Sequence, residues 1–209
     1  PVDDTLLGAW PSGMRMIASF RDRLYGVAGD GTIRFTPPGH PEVWPPSYRI
    51  DVGDAHLGPP TALYATRNAL LVGKTRGIYL ISDDGVSLPS ASTLTRESGF
   101  SAHNTVREVP GMGVIGVSDN GLTVLQGTLQ NECVPTSVIN AGIPLPDEFA
   151  SLNTSALLNA CSAVYPADKE LWISVPTLGS PFNDQVWVYH YEVRQWTTRP
   201  YYPIASMLT

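Results

Sequence analysis

The chain has 209 residues, 43% of them hydrophobic and only 15% charged, with 13 basic residues against 19 acidic ones for a net charge of −6. That apolar content excludes a disordered chain, and the acidic balance provides no bulk attraction for nucleic acid or an anionic membrane. Gly 19 and Pro 19 make a turn-rich composition of the kind that accompanies many short strands.

Residues 1–12 show only an apolar patch, Leu6-Leu7 with Trp10. Strand signals begin at residues 14–20 (MRMIASF), turn at Arg21-Asp22-Arg23, and continue in 24–29 (LYGVAG). Asp30-Gly31 is a hairpin signal, because a tight hairpin turn needs positive φ, and 32–35 (TIRF) returns. Prolines in 37–46 exclude a central strand there, so this stretch reads as an exposed loop with Trp44 folded back; 48–53 (YRIDVG) follows.

The pattern recurs. Residues 61–67, 69–74, 78–82 and 92–98 form a second set of four apolar segments, with Gly77 in a turn and Asp83-Asp84-Gly85 ending the third segment. A third set covers 104–109, 113–117, 122–126 and 132–139, with the turn Ser118-Asp119-Asn120-Gly121 at its centre. Asn-Gly between two β-rich runs is the strongest short-range hairpin signal in the chain. Gly31, Gly77 and Gly121 lie 46 and 44 residues apart. A period of about 40–50 residues with four short strands per unit is the signature of a propeller blade.

The fourth unit departs from this pattern. Residues 150–163 carry Leu152, Ala156, Leu157, Ala160 and Ala163 near helical spacing, so a short helix is expected near 151–163, capped by Ser151. Strands are then expected in 162–167, 170–176, 185–191 and 195–200, with residues 203–209 opening a fifth unit. The expected fold is therefore all-β: a β-propeller of four-stranded antiparallel blades at roughly 14–53, 61–98, 104–139 and 161–200. Since a closed ring needs at least about four blades and the ends are ragged, the chain is expected to be part of a larger protein. Tyr25, Tyr79, Trp172, Trp187, Tyr189 and Trp196 fall in or beside strands, where packing between blades is their default role.

The residues offer little chemistry. His40, His56, His103 and His190 have no fixed partner spacing, and Cys133 and Cys161 form neither a disulfide framework nor a metal-ligand pattern. Asp83-Asp84-Gly85 and Asp119-Asn120-Gly121 lack the alternating ligands of a calcium loop and read as turns. No nucleophile elbow, phosphate loop or basic stripe occurs, and no run is long enough to cross a membrane. Gly31, Gly77, Asp119, Asn120 and Gly121 are therefore expected to serve as structural turn residues, with no catalytic, metal or cofactor site. Residues 117–123 resemble the Asp-box turn of sialidases with its Ser displaced and its Trp missing. A glycan hydrolase would also need an arginine cluster, a nucleophilic Tyr and a carboxylate; Arg15, Arg21, Arg23 and Arg34 are close only in sequence.

Residues 22–45, with Pro41-Glu42 and Trp44, then 67–82, then 99–127, and finally 169–176 with 183–200 occur in an order that resembles the β-propeller proteins of tailed phages. These are tail-tube, nozzle and DNA-stabilisation hub proteins. The resemblance implies a non-enzymatic virion component of the tail or neck, assembled in the host cytoplasm. Its implied partners are copies of itself in a ring, usually hexameric, other tail or neck proteins, and genomic DNA passing through a channel without sequence-specific binding. The alternative is a glycan-binding or glycan-hydrolysing propeller of sialidase or lectin type. A third option, a kelch-like interaction propeller, matches the ending VYHYEVRQWTTRP but lacks the diglycine of kelch blades.

Overall fold

A computed structural model describes residues 8, 10–53, 55–119, 121–127, 135–139, 151–200 and 206. The fold is all-β, with four antiparallel four-stranded sheets, each made of consecutive strands that neighbour one another in chain order. The first sheet holds β1 (Arg15–Phe20), β2 (Arg23–Val27), β3 (Ile33–Phe35) and β4 (Arg49–Ile50). The second holds β5 (Pro60–Ala65), β6 (Leu70–Lys74), β7 (Gly77–Ser82) and β8 (Ser90–Thr95). The third holds β9 (Arg107–Val109), β10 (Gly113–Ser118), β11 (Gly121–Gly127) and β12 (Pro135–Ile139). The fourth holds β13 (Cys161–Tyr165), β14 (Glu170–Val175), β15 (Gln185–His190) and β16 (Gln195–Pro200).

The sheets bury their faces against one another in sequence. Side chains alternate across a strand, so Leu70 and Val72 of β6 join Tyr25, Val27, Ile33 and Phe35 of the first sheet in one core cluster. Leu71, between them, points the other way and packs with Val114 and Leu125 of the third sheet. Every residue of β6 is buried, the continuous pattern of a strand covered on both faces. A third cluster joins Ile115, Val117, Leu122 and Val124 to Leu171, Ile173, Trp187 and Tyr189 of the fourth sheet.

Phe100, fully buried, fills the gap between the second and third sheets. Gly73 of β6 and Gly116 of β10 face its ring from opposite sides; a methyl group at either would stand 2.9 Å from Cδ2 or 2.7 Å from Cε1 respectively. The connection carrying Phe100 also stitches three sheets together through polar contacts. Phe100 N donates to Lys74 O at 3.0 Å and Ser101 N to Val117 O at 2.8 Å. Ser162 Oγ of β13 donates to Thr105 O at 2.9 Å.

Two expectations change in detail. The helix near 151–163 is a 3-10 turn over Thr154–Asn159, capped by Asn153 and not Ser151: the Asn153 side chain accepts from Ser155 N at 3.2 Å. Ala160 ends it and Cys161 opens β13, because the alternation from Cys161 to Tyr165 suits a strand against β14 better than another helical turn. Residues 36–48 contain no strand, as the prolines require, and Trp44 folds back to 4% exposure with its ring edge-on to Trp10. The fifth unit and Cys133 lie outside the described residues, apart from Ser206.

Candidate functional site

The expected turn residues divide by role. Gly31 has φ +81 in the β2–β3 connection, a left-handed conformation that glycine adopts without steric cost. Gly121 has φ +132 and is the first residue of β11, paired with Ser118, so the β10–β11 hairpin is present but Gly121 stands beside its turn and not at its centre, a correction to the Asn-Gly reading. Asn120 itself lies outside the described residues. Gly77 is a correction: the turn is Thr75-Arg76, and Gly77 is the first residue of β7, paired with Lys74. It accommodates Leu57, whose Cδ1 would lie 2.8 Å from a Cβ at that position. Asp119 Oδ2 sits 3.9 Å from Arg76 Nε, linking the matching turns of the second and third sheets through an exposed ion pair.

A buried polar constellation joins the first sheet to the second. Tyr25 Oη of β2 donates to Asp83 Oδ2 at 2.5 Å, and Arg23 Nε lies 3.2 Å from the same oxygen. The Arg23 and Asp83 side chains are 2% and 0% exposed. Arg23 Nη1 donates to Thr36 O at 3.2 Å and Nη2 to Ser87 O at 3.0 Å. Asp83 Oδ1 accepts from Gly85 N at 2.8 Å, and Asp84 accepts from Val86 N and Ser87 N. The Asp-Asp-Gly segment is thus a turn, as expected, and one of its carboxylates is also the centre of the constellation.

This set contains one tyrosine, one carboxylate and one arginine, the residue types a glycan hydrolase would use. Its electrostatics favour holding over reacting. Burial pushes the Tyr25 phenol far above its ordinary range, and the hydrogen bond and charge of Asp83 push the same way, against a smaller opposing effect of Arg23. The phenol therefore stays protonated as a donor, whereas a nucleophilic phenolate needs the opposite shift. Arg15 and Arg34 lie toward the β2–β3 end of the first sheet, and Arg34 pairs with Asp30 at 3.2 Å. Arg21 is in the β1–β2 turn at the other end, so the four arginines do not meet.

The second feature is the β14–β15 connection, residues 176–184. Where β6–β7 and β10–β11 turn in two residues, this one takes nine. Polar side chains hold it. Thr177 N and Oγ1 donate to Asp184 at 2.8 and 2.6 Å, and Asn153 Nδ2 donates to Ser180 O at 2.7 Å. Asn159 Nδ2 donates to Pro181 O at 3.1 Å, and Asn183 Nδ2 to Asn159 O at 2.7 Å. Burial would raise the Asp184 carboxyl, but the Thr177 bonds outweigh it and hold it below the usual carboxylate range. This fixed frame leaves Leu178 and Phe182 at 77% and 74% exposure, and Leu158, which precedes the Asn159 that bonds the loop, at 62%. Large apolar side chains displayed together on an ordered loop suit contact with another macromolecule.

Sequence reasoning missed both features. Arg23 and Asp83 are 60 residues apart in the chain, and no spacing rule links them. Among the described residues no three His, Cys, Asp or Glu side chains group to hold a metal ion. His103 accepts from Leu63 N at 3.3 Å through Nδ1, while His40 sits beside Glu42 at 3.4 Å. Cys161 is buried, with Asn183 Nδ2 3.9 Å from Sγ. No helix among the described residues is long and apolar enough to cross a membrane. No family model matches the chain, and no curated protein does either.

Proposed function

We propose that the four sheets are successive blades of a β-propeller and that the chain is a non-enzymatic structural component of a phage tail or neck. In this reading it belongs to a nozzle or hub ring around the DNA exit channel of the virion. The observation that carries the reading is the stack: the meanders of four consecutive strands bury faces against one another in order, the first on the second, the second on the third and the third on the fourth. Radial repetition of such sheets is how propellers limit exposed edges. The order of sequence segments shared with phage propeller proteins supports the same conclusion.

The block is rigid, and its partners are copies of itself in a ring, usually six, together with other tail or neck proteins. The framed loop with Leu178 and Phe182 offers them a contact surface. DNA passes without sequence-specific binding, and the excess of 19 acidic over 13 basic residues keeps it from adhering through like-charge repulsion. Imaging the native assembly and measuring its mass tests the reading. A ring with carboxylates toward the lumen supports it, and a lumen lined by Lys and Arg, or a free monomer that cleaves a glycoside, overturns it.

A glycan-hydrolysing propeller is the second reading, favoured by the meeting of Tyr25, Asp83 and Arg23. Their burial weighs against it, since a substrate must touch the groups that act on it. Loss of hydrolysis in Tyr25→Phe, measured on a panel of glycosides, would establish it.

A further inference from the structure

Polar contacts tie β5, the first strand of the second sheet, to the segment that leads into the third. Thr61 Oγ1 donates to Phe100 O, Leu63 N donates to His103 Nδ1 at 3.3 Å, and Glu108 N donates to Tyr64 Oη at 3.1 Å. Of the side chains in these contacts, only an imidazole ordinarily changes charge between about pH 5 and 8. With Nδ1 used as an acceptor, the neutral ring carries its hydrogen on Nε2. A second proton can only go to Nδ1. It turns that atom into a donor aimed at the Leu63 N–H, so the bond cannot survive it.

His103 opens the 3-10 turn His103–Thr105, which lies against β5, β10 and β13. The other anchors of this turn do not titrate. Val117 N donates to Thr105 Oγ1 at 3.0 Å, and Ser162 Oγ donates to Thr105 O at 2.9 Å. The turn is thus held to the third and fourth sheets by a hydroxyl and a carbonyl, and to the second by an imidazole. The titratable side chains on the elements around it are Tyr64 of β5, Cys161 and Tyr165 of β13, and Arg107 and Glu108 of β9, with none on β10. Among the described residues no carboxylate forms an ion pair with the ring. Burial and then the Arg107 charge oppose its protonation. The side chain is only half-buried, so protons reach it with the fold intact.

We propose that His103 is an acid-released latch between the second and third sheets: at neutral pH its Nδ1 holds the β5 backbone, and protonation releases β5 while the third and fourth sheets stay joined. On release the ring carries a hydrogen on both nitrogens, and the Leu63 N–H turns to water. The closed form disfavours the charged ring, so below the ordinary value of 6.5 the open form binds more protons than the closed one. The opening constant then rises by up to about tenfold per pH unit, until the closed form is itself protonated. The latch belongs to the single chain and does not depend on the assembly proposed above.

Hydrogen exchange of the full chain tests it, followed by NMR at the Leu63 amide between about pH 7.5 and pH 5 and corrected for the intrinsic exchange rate. Opening at Leu63 is expected to increase by up to about tenfold per pH unit, while the amides between β14 and β15 keep their protection. His103→Gln, whose uncharged side chain can still accept from Leu63 N, is expected to abolish the pH dependence at Leu63. In the unsubstituted chain at neutral pH, the imidazole nitrogen shifts are expected to place the hydrogen on Nε2. A hydrogen on Nδ1 at neutral pH overturns the proposal, as does opening at Leu63 that is independent of pH or has the same pH dependence in His103→Gln. An equal loss of protection in all four sheets also overturns it, since the effect of acid is then global.

Discussion

The Tyr25 hydroxyl donates to Asp83 across the boundary between the first two sheets, and the carboxylate that receives it also faces the buried guanidinium of Arg23. Removing one charge of such a pair strands the other in a dry environment. Asp83→Ala is therefore expected to destabilise the fold by about 3–5 kcal/mol, measured by urea denaturation. The double variant Arg23→Met with Asp83→Leu should recover much of that loss, because no charge then remains buried. A double variant as unstable as the single one would mean that shape, not charge, holds this boundary.

The same phenol gives the fold an alkaline limit. Its folded pKa is raised above the ordinary 10.0, so its contribution to stability is complete below pH 10.0 and is lost as pH rises beyond that value. The Tyr189 phenol is raised by burial as well. Stability should fall by about 1.4 kcal/mol per pH unit for each phenol above its unfolded pKa. Tyr25→Phe should lower stability at neutral pH but make the alkaline slope shallower by one proton. On the acid side, burial and then Arg107 lower the pKa of His103 below 6.5. The unfolded chain then binds more protons as pH drops below 6.5, and stability falls; His103→Gln should remove that share of the slope.

The β1–β2 hairpin contains an avoidable strain. Phe20 pairs with Arg23, so Arg21 and Asp22 make the turn, with φ of 51 and 57. Two consecutive left-handed residues are what Asn-Gly supplies in a two-residue hairpin. Arg21→Asn with Asp22→Gly should raise stability by about 1 kcal/mol, read as a higher denaturation midpoint with an unchanged slope. The Asp22 carbonyl, which accepts from Gly39 N at 2.8 Å, is retained by both substitutions.

Phe100 sets the spacing of the second and third sheets. Gly116→Ala should cost about 1–3 kcal/mol or more through overpacking against its ring, and Phe100→Ala about 3–5 kcal/mol through the space it leaves. Adding Phe100→Leu to Gly116→Ala should recover part of the first loss. An additive pair of effects would show that the ring and the glycine do not compete for one volume.

By contrast, the Arg76–Asp119 pair should be nearly silent. The Arg76 side chain is 70% exposed and the two groups are 3.9 Å apart, a geometry that solvent screens. Asp119→Ala is expected to change stability by less than about 0.5 kcal/mol.

The strands and hairpins were legible because they are local. Period-2 alternation and turn signals marked the sixteen strands among the described residues to within a few residues, and the prolines of 37–46 kept a false strand out of the loop. The misplaced helix end at Ala160–Ala163 has a local cause too: alanines at helical spacing are equally compatible with a strand, and β14 decided between them. Gly77 was misassigned because a glycine beside a turn and a glycine inside one look alike without Leu57 in view. The Tyr25–Asp83–Arg23 set and the framed loop were not legible. Each depends on side chains from different sheets or segments, and only the stacking of those sheets brings them within reach.

Among the described residues, each sheet is drawn from one continuous stretch of sequence, ending at Ile50, Thr95, Ile139 and Pro200. Strand pairing among these residues uses no distant segment, and the core clusters that span sheets join neighbours in the sequence. During synthesis a whole sheet can emerge before the next begins, leaving one greasy face that the following sheet covers within about 40 residues of translation. Such a chain lowers its exposure stepwise, from the amino end toward the carboxyl end. It has little occasion to mispair strands of different sheets, a hazard that folds with long-range strand crossings must otherwise manage.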